Sequence, residues 1–119
     1  MEFKLHQQEN GTIAEYITSG KLEGVQDFVD LLGNAYYQEV NKIIIKEENL
    51  GNDFFDLKSG VAGEILQKFS NYRVKLAIVG SFKDIQSKSL RDFIRESNKM
   101  GRILFVENIN EALQKMGQF

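Results

Sequence analysis

Apolar and polar residues alternate along the first segment, EFKLHQQENGTIAEYITS, and then fall into a helical spacing. The alternation reads as two short strands, and Asn10-Gly11 between them is the dipeptide that best accepts the positive φ angles of a tight hairpin. From Gly24 the period changes: Val25, Phe28, Val29, Leu32, Ala35 and Tyr36 share one face of a helix predicted to run to about Val40. NKIIIKE follows, a β-branched run suited to a strand buried on both faces. In NDFFDLKSGVAGEILQKF, the residues Leu57, Val61, Ile65, Leu66 and Phe69 line one helical face. RVKLAIVG is a second buried strand. SLRDFIRESNKM is helical, with Leu90, Phe93, Ile94 and Ser97 on one side and Ser89 as its N-cap. RILFVE is a third buried strand, after which Asn108 and Glu111 form a capping-box-like pair opening a last helix through Ala112, Leu113 and Met116.

The resulting order is β-β-α-β-α-β-α-β-α. Strand-helix alternation after a hairpin predicts an α/β fold with a mixed, mostly parallel sheet, helical crossovers and one antiparallel strand. The strands centred on Ile44, Ala77 and Leu104 are expected to be parallel and adjacent. With 119 residues and no linker, repeat or low-complexity tract, residues 1–119 are expected to form a single domain. Proline is absent, so chain reversals rest on glycine and asparagine.

Composition narrows the functional classes. Hydrophobic residues make up 42% and charged residues 27%, as in ordinary globular proteins. The formal net charge of -2 gives the whole molecule no attraction to nucleic acid or an anionic membrane. No apolar run approaches the roughly 18 residues of a membrane span, and MEFKLHQQENG lacks the apolar core of a signal peptide. Cysteine is absent, which removes disulfides, thiolate catalysis and Cys-ligated zinc. A cytoplasmic protein without metal or cofactor is expected. The single histidine, His6, falls within the first strand, where it reads as a surface or edge residue; no HxxxH or DxD-type spacing supplies it with metal-binding partners.

In open α/β sheets, sites gather where strand C-termini meet helix N-termini. Two loops qualify, Glu47 to Ser59 and Ser81 to Ser89, and both are expected on one edge of the sheet. In the first, a helix beginning at Leu57 makes Asp56 its N-cap and places Ser59 at the third helical position. Gly60 and Gly63 each cost about 1 kcal/mol within a helix relative to alanine. With Ala62 they make the helix start narrow, for close packing on the sheet or for the approach of a bound group. Enzymatic use of Ser59 is not expected: DLKSGVA is not a nucleophile elbow, and Lys58 is a poorly placed base. In the second loop, Ser81, Lys83, Ser87, Lys88, Ser89 and Arg91 surround a helix N-terminus, whose N–H groups favour anions. No P-loop or G-x-G-x-x-G pattern accompanies them. Phe54-Phe55 and Tyr36-Tyr37 are adjacent aromatic pairs, so one ring of each is expected to be exposed as an interface anchor.

A hairpin, a strand, and an Asp-containing turn with Ser-Gly opening a helix together resemble the STAS domains of bacterial anti-sigma-factor antagonists. The resemblance continues through RVKLAIVG and RILFVENINEALQKM and so covers nearly the whole chain. DFFDLKSGVAGEILQKF, with VKLAIVG and SKSLRDFIRESN, more closely resembles a family of small bacterial proteins known only as a domain of unknown function. STAS domains carry Asp-Ser-Ser-Gly at the turn and are switched by phosphorylation of the first serine. Here that acceptor position falls on Lys58 or Leu57, and only Ser59 remains as a hydroxyl. The resemblance therefore implies the docking surface and not the switch. The expectation is a non-enzymatic regulatory or scaffolding module that binds a protein partner or itself through the edge bearing Phe54, Phe55, Asp56, Lys58, Ser59, Gly60 and Gly63. The alternative is a sensor of a small anionic ligand at the same edge.

Overall fold

The alternating first segment forms strands Phe3–Gln8 (β1) and Gly11–Tyr16 (β2), paired antiparallel. The computed structural model describes residues 1–101 and 103–117; Arg102, which heads the last predicted strand, and the final two residues of the predicted domain lie outside them. The remaining elements are Gly24–Tyr37 (α1), Lys42–Lys46 (β3), Asn52–Phe55 (α2), Val61–Asn71 (α3), Lys75–Val79 (β4), Lys88–Met100 (α4), Ile103–Val106 (β5) and Ile109–Met116 (α5). The sheet order is β1-β2-β3-β4-β5, and every pair after the hairpin is parallel. Ile44 lies opposite Ala77 and Ala77 opposite Leu104, as the sequence predicts.

Sequential strand order makes the three crossovers through α1, α3 and α4 step the same way, so one hand of connection puts those helices on one face. That face buries Ile43, Ile45, Leu76, Ile78, Ile103 and Phe105 against Phe28, Leu31, Ile65 and Phe69. The opposite face buries Ile13, Ile44, Ala77 and Leu104 under Ala112 and Met116 of α5. Continuous apolar runs in β3, β4 and β5 are thus a consequence of cover on both faces. All turns that follow the parallel strands gather on one edge.

Several local expectations are corrected. The hairpin loop is Glu9-Asn10, and Gly11 alone takes positive φ (123°) as the first residue of β2. The Asn10 side chain instead donates to the Gly117 carbonyl at 2.8 Å, tying the hairpin to the end of α5. Helix α1 ends at Tyr37, and its buried stripe is Phe28, Leu31, Leu32 and Ala35; Tyr36 is 82% exposed. Leu31 takes the place predicted for Tyr36 because Phe28, Leu31, Leu32 and Ala35 make a contiguous i, i+3, i+4, i+7 stripe. Asn108 does cap α5, accepting from the Glu111 N–H at 2.8 Å.

Both α1 and α3 close with the same turn. Val40 N–H returns to the Ala35 carbonyl and Glu39 N–H to that of Tyr36; Val74 and Arg73 repeat this on Phe69 and Ser70. These are Schellman closures, with Val40 and Val74 as the buried apolar residues that follow. The left-handed position, usually glycine, is held by Glu39 (φ 59°) and Arg73 (φ 57°). Glycine at either position should raise stability by about 0.5–1 kcal/mol, measured by chemical denaturation of Glu39→Gly and Arg73→Gly.

Candidate functional site

The first loop is fixed before it reaches the surface. Leu22 and Leu50 form an isolated parallel bridge, with Leu22 N–H on the Asn49 carbonyl (2.7 Å) and Gly51 N–H on that of Leu22 (2.9 Å). The Asn49 amide adds a 2.9 Å bond to the Gly20 carbonyl. A Cβ on Gly51 would sit 3.1 Å from the Leu22 carbonyl oxygen, so this close approach suits glycine. Helix α2 then buries Phe54 against Phe28, with ring centroids 6.1 Å apart. Phe55 is half-buried, 5.1 Å from Phe54 and 6.2 Å from Phe82. Neither ring of this pair is the exposed anchor expected, because the short helix turns both onto aromatic neighbours. Tyr36 and Tyr37 are both exposed, at the far end of α1.

The helix predicted from Leu57 starts later. Leu57–Ser59 is a 3-10 turn capped by Asp56, whose carboxylate accepts the Lys58 N–H at 3.2 Å. Gly60 takes φ 78° and α3 begins at Val61. The Ser59 hydroxyl lies 2.8 Å from the Asp53 carbonyl and 2.7 Å from that of Asp56, and accepts the Val61 N–H at 3.2 Å. Side-chain bonds of this kind offer the backbone an alternative to helix, which is why the turn and α3 stay separate. Gly60 is therefore outside the helix. Gly63 is inside it but points into open space, while Ala62 faces the core. Close packing on the sheet does not explain Gly63.

The second loop meets the first, as the sequence predicts. Phe55, Asp56, Leu57 and Lys58 line a shallow cavity of about 330 Å³ together with Ser87 and Ser89. Ser87, and not Ser89, caps α4, accepting the Leu90 N–H at 3.2 Å; Ser89 lies within the first turn. The other anion candidates are engaged elsewhere. The Glu47 carboxylate accepts the Ser81 N–H at 3.1 Å and occupies the space a side chain on Gly80 would need. Lys83 pairs with Glu107 at 3.4 Å and Lys88 with Asp92 at 2.9 Å. Arg91 donates to the Ile85 and Gln86 carbonyls at 2.9 and 3.2 Å, bracing the loop from behind. Among the described residues, Lys58 is the only cation lining the cavity.

Two features escape the sequence reading. Glu47 fills the anion position beside Ser81, and no local pattern marks a loop carboxylate that reaches the next strand end. His6 is half-buried on the edge strand and bonds at 2.9 Å to the nearly buried Glu15, with Lys46 at 4.0 Å from the same carboxylate. The i, i+2 alternation of hairpin residues could have suggested that cross-strand pairing.

The site is a strand-end edge of a mixed, mostly parallel α/β domain, with an aromatic wall, two serine hydroxyls and one lysine. The chain belongs to the DUF4180 family, a domain of unknown function whose match covers residues 8–116. No curated protein and no solved structure matches the chain. Among the described residues, no helix is long and apolar enough to cross a membrane.

Because Asp56 caps a three-residue turn and not α3, Asp56→Ala should cost only about 0.5 kcal/mol, the low end for a cap, and Asp56→Asn should be neutral. Thermal unfolding of the pair measures both. Beside the cavity, the Lys88 hydrogen bond, with added attraction from Arg95, holds the Asp92 carboxyl below its ordinary value of 3.8. A depressed value means the ion pairs stabilise the fold above the unfolded pKa and cease to do so as pH falls through the folded one. An NMR titration should place the Asp92 midpoint below 3.8. Lys88→Gln or added salt should move it back upward.

Proposed function

We propose that this protein is a non-enzymatic, STAS-like regulatory or scaffolding module, acting in the bacterial cytoplasm, that binds a protein partner through the Phe55–Lys58 edge. The observation that carries this reading is the convergence of Phe55, Leu57 and Lys58 with Ser87 and Ser89 on one shallow surface. A small, open surface that carries two apolar side chains, two serine hydroxyls and the oppositely charged Asp56 and Lys58 suits a protein side chain and its backbone better than a small ligand, which favours an enclosed pocket. The open space beside Gly63 leaves room at the adjoining first turn of α3. Sequential strand order with three crossover helices on one face, and an Asp-to-Ser-Gly turn before α3, support the STAS likeness. Ser59, the hydroxyl a covalent mechanism would use, is committed to main-chain groups. Its bonds also argue for an unmodified serine. The small-anion alternative is the weaker reading, because Glu47 already satisfies the Ser81 N–H and the basic residues of the second loop are paired.

Affinity capture from the source cells, with intact-mass measurement of the purified protein, tests the proposal. The wild-type chain should retain a stoichiometric protein, Ser59→Ala should retain it within a few-fold, and Lys58→Glu should lose it at least tenfold through charge reversal. A small co-purifying mass displaced by Lys58→Glu would establish the ligand sensor instead. Ser59 recovered mainly as its phosphate, with binding lost in Ser59→Ala, would restore a phosphorylation switch.

A further inference from the structure

The two edges of the sheet are finished differently. At β5, the Asn98 side chain of α4 lies along the strand: its carbonyl accepts the Phe105 N–H at 2.7 Å and its amide lies 3.5 Å from the Phe105 oxygen. At Phe105 one side chain thereby takes the place of a neighbouring strand. At β1 no such cover exists among the described residues. The Ile17 N–H bonds to the Glu2 carbonyl, so Glu2, Lys4, His6 and Gln8 direct their main-chain groups toward β2. Phe3, Leu5 and Gln7 direct theirs outward. An unpaired edge of this length is a template for another strand.

The surface beside that edge carries exposed apolar side chains on the helical face of the sheet. Leu5 is 47% exposed on the same face as Phe3, and Met1 is 47% exposed. Met1 shares a shallow cavity of about 570 Å³ with Val29, Gly33 and Tyr37 of α1, and Asp30 and Asn34 line it beside them. Val29, Gly33 and Tyr37 lie at i, i+4 and i+8, one stripe of the helix. Gly33 sits inside α1, where glycine costs about 1 kcal/mol relative to alanine, and among the described residues nothing beyond its own turn of helix comes within 4 Å of the Cβ it lacks. The stripe leaves room for another backbone to approach.

We propose that β1 pairs with β1 of a second copy, antiparallel about a two-fold axis through Leu5 and perpendicular to the sheet. The axis makes one continuous sheet of both chains and keeps the two α1 helices on the same face, side by side, where Gly33 lets their backbones approach. Phe3, Leu5 and Gln7 then meet Gln7, Leu5 and Phe3 of the second copy, and every outward main-chain group of β1 finds a partner. On the opposite face, Lys4 stands between its own cross-strand neighbour Glu15 and the second copy's His6, which its own Glu15 holds. An axis through Leu5 pairs all three outward-facing residues, whereas an axis through Lys4 leaves Gln7 beyond the paired stretch and sets Lys4 against Lys4, so the axis through Leu5 is the favoured one. This surface is separate from the Phe55–Lys58 edge, and its test is independent of that reading.

The chain has no cysteine, so a single introduced one reports the axis directly. Residues paired across the two-fold have Cα atoms about 5.5 Å apart, within the roughly 4.4–6.8 Å that a disulfide spans. Under mild oxidation Leu5→Cys should form a covalent dimer at least tenfold faster than Lys99→Cys on the far side of the molecule. Sedimentation of the wild-type chain should show a dimer, and Leu5→Glu, with two carboxylates at the axis, should be a monomer with an unchanged circular dichroism spectrum. The Leu5 and Gln7 amides should exchange more slowly as concentration rises. A wild-type monomer at 100-fold the concentration of the cross-linking experiment, with Leu5→Cys no faster than the control, overturns the proposal; so does a dimer that survives Leu5→Glu.

Discussion

A continuous run of phenylalanines holds the candidate site to the core. From Phe69 the rings pass to Phe28, Phe54, Phe55, Phe82, Phe105 and Phe93, with successive centroids 5.1–6.5 Å apart. The run crosses α3, α1, α2, the loop after β4, β5 and α4, so it links both strand-end loops to the helical layer. Edge-to-face and offset-stacked ring pairs contribute about 0.5–1.5 kcal/mol each beyond the area they bury. Removing Phe54 would leave α2, a helix of four residues, without its only buried side chain. The cavity floor at Phe55 exists because Phe54 beneath it is anchored.

The parallel layers were legible because their residues answer to one strong constraint. β3, β4 and β5 are buried on both faces, so nearly every position is apolar and strand position and order follow from the sequence. The segment between Asn52 and Gly60 was less legible. Its three short pieces are set by main-chain bonds from Ser59 and by the left-handed Gly60, and neither leaves a periodic trace. Hydrophobic spacing alone merged the turn with α3. The same limit applies to Ser87 and Ser89: both are serines before an apolar helix, and two residues decide which one caps.

The candidate site was legible in outline, but the partners of its charged groups were not. Placing the two loops on one edge needed only the topology rule, and Phe55, Asp56, Lys58, Ser87 and Ser89 do meet there. Cations near a helix start suggested an anion site, but Lys83, Lys88 and Arg91 each found a carboxylate or carbonyl within the chain. An N-terminal cluster of basic residues states what charge is present and not what it faces. Glu47 shows this most clearly, since a negative group from the preceding strand end already sits at Ser81.

The bond from Asn10 to Gly117 joins groups 107 positions apart, and Gly117 is also so close to Gln8 that a side chain there would collide with its amide. Every neighbouring pair of strands, by contrast, is consecutive in the chain. During synthesis on the ribosome each strand can therefore add to the one before it as it emerges, with its crossover helix already present. The second face cannot close in that way. Ile13, Ile44 and Ala77 wait for Ala112 and Met116, so half of the sheet is wet until the last helix leaves the exit tunnel and locks onto the first turn of the molecule.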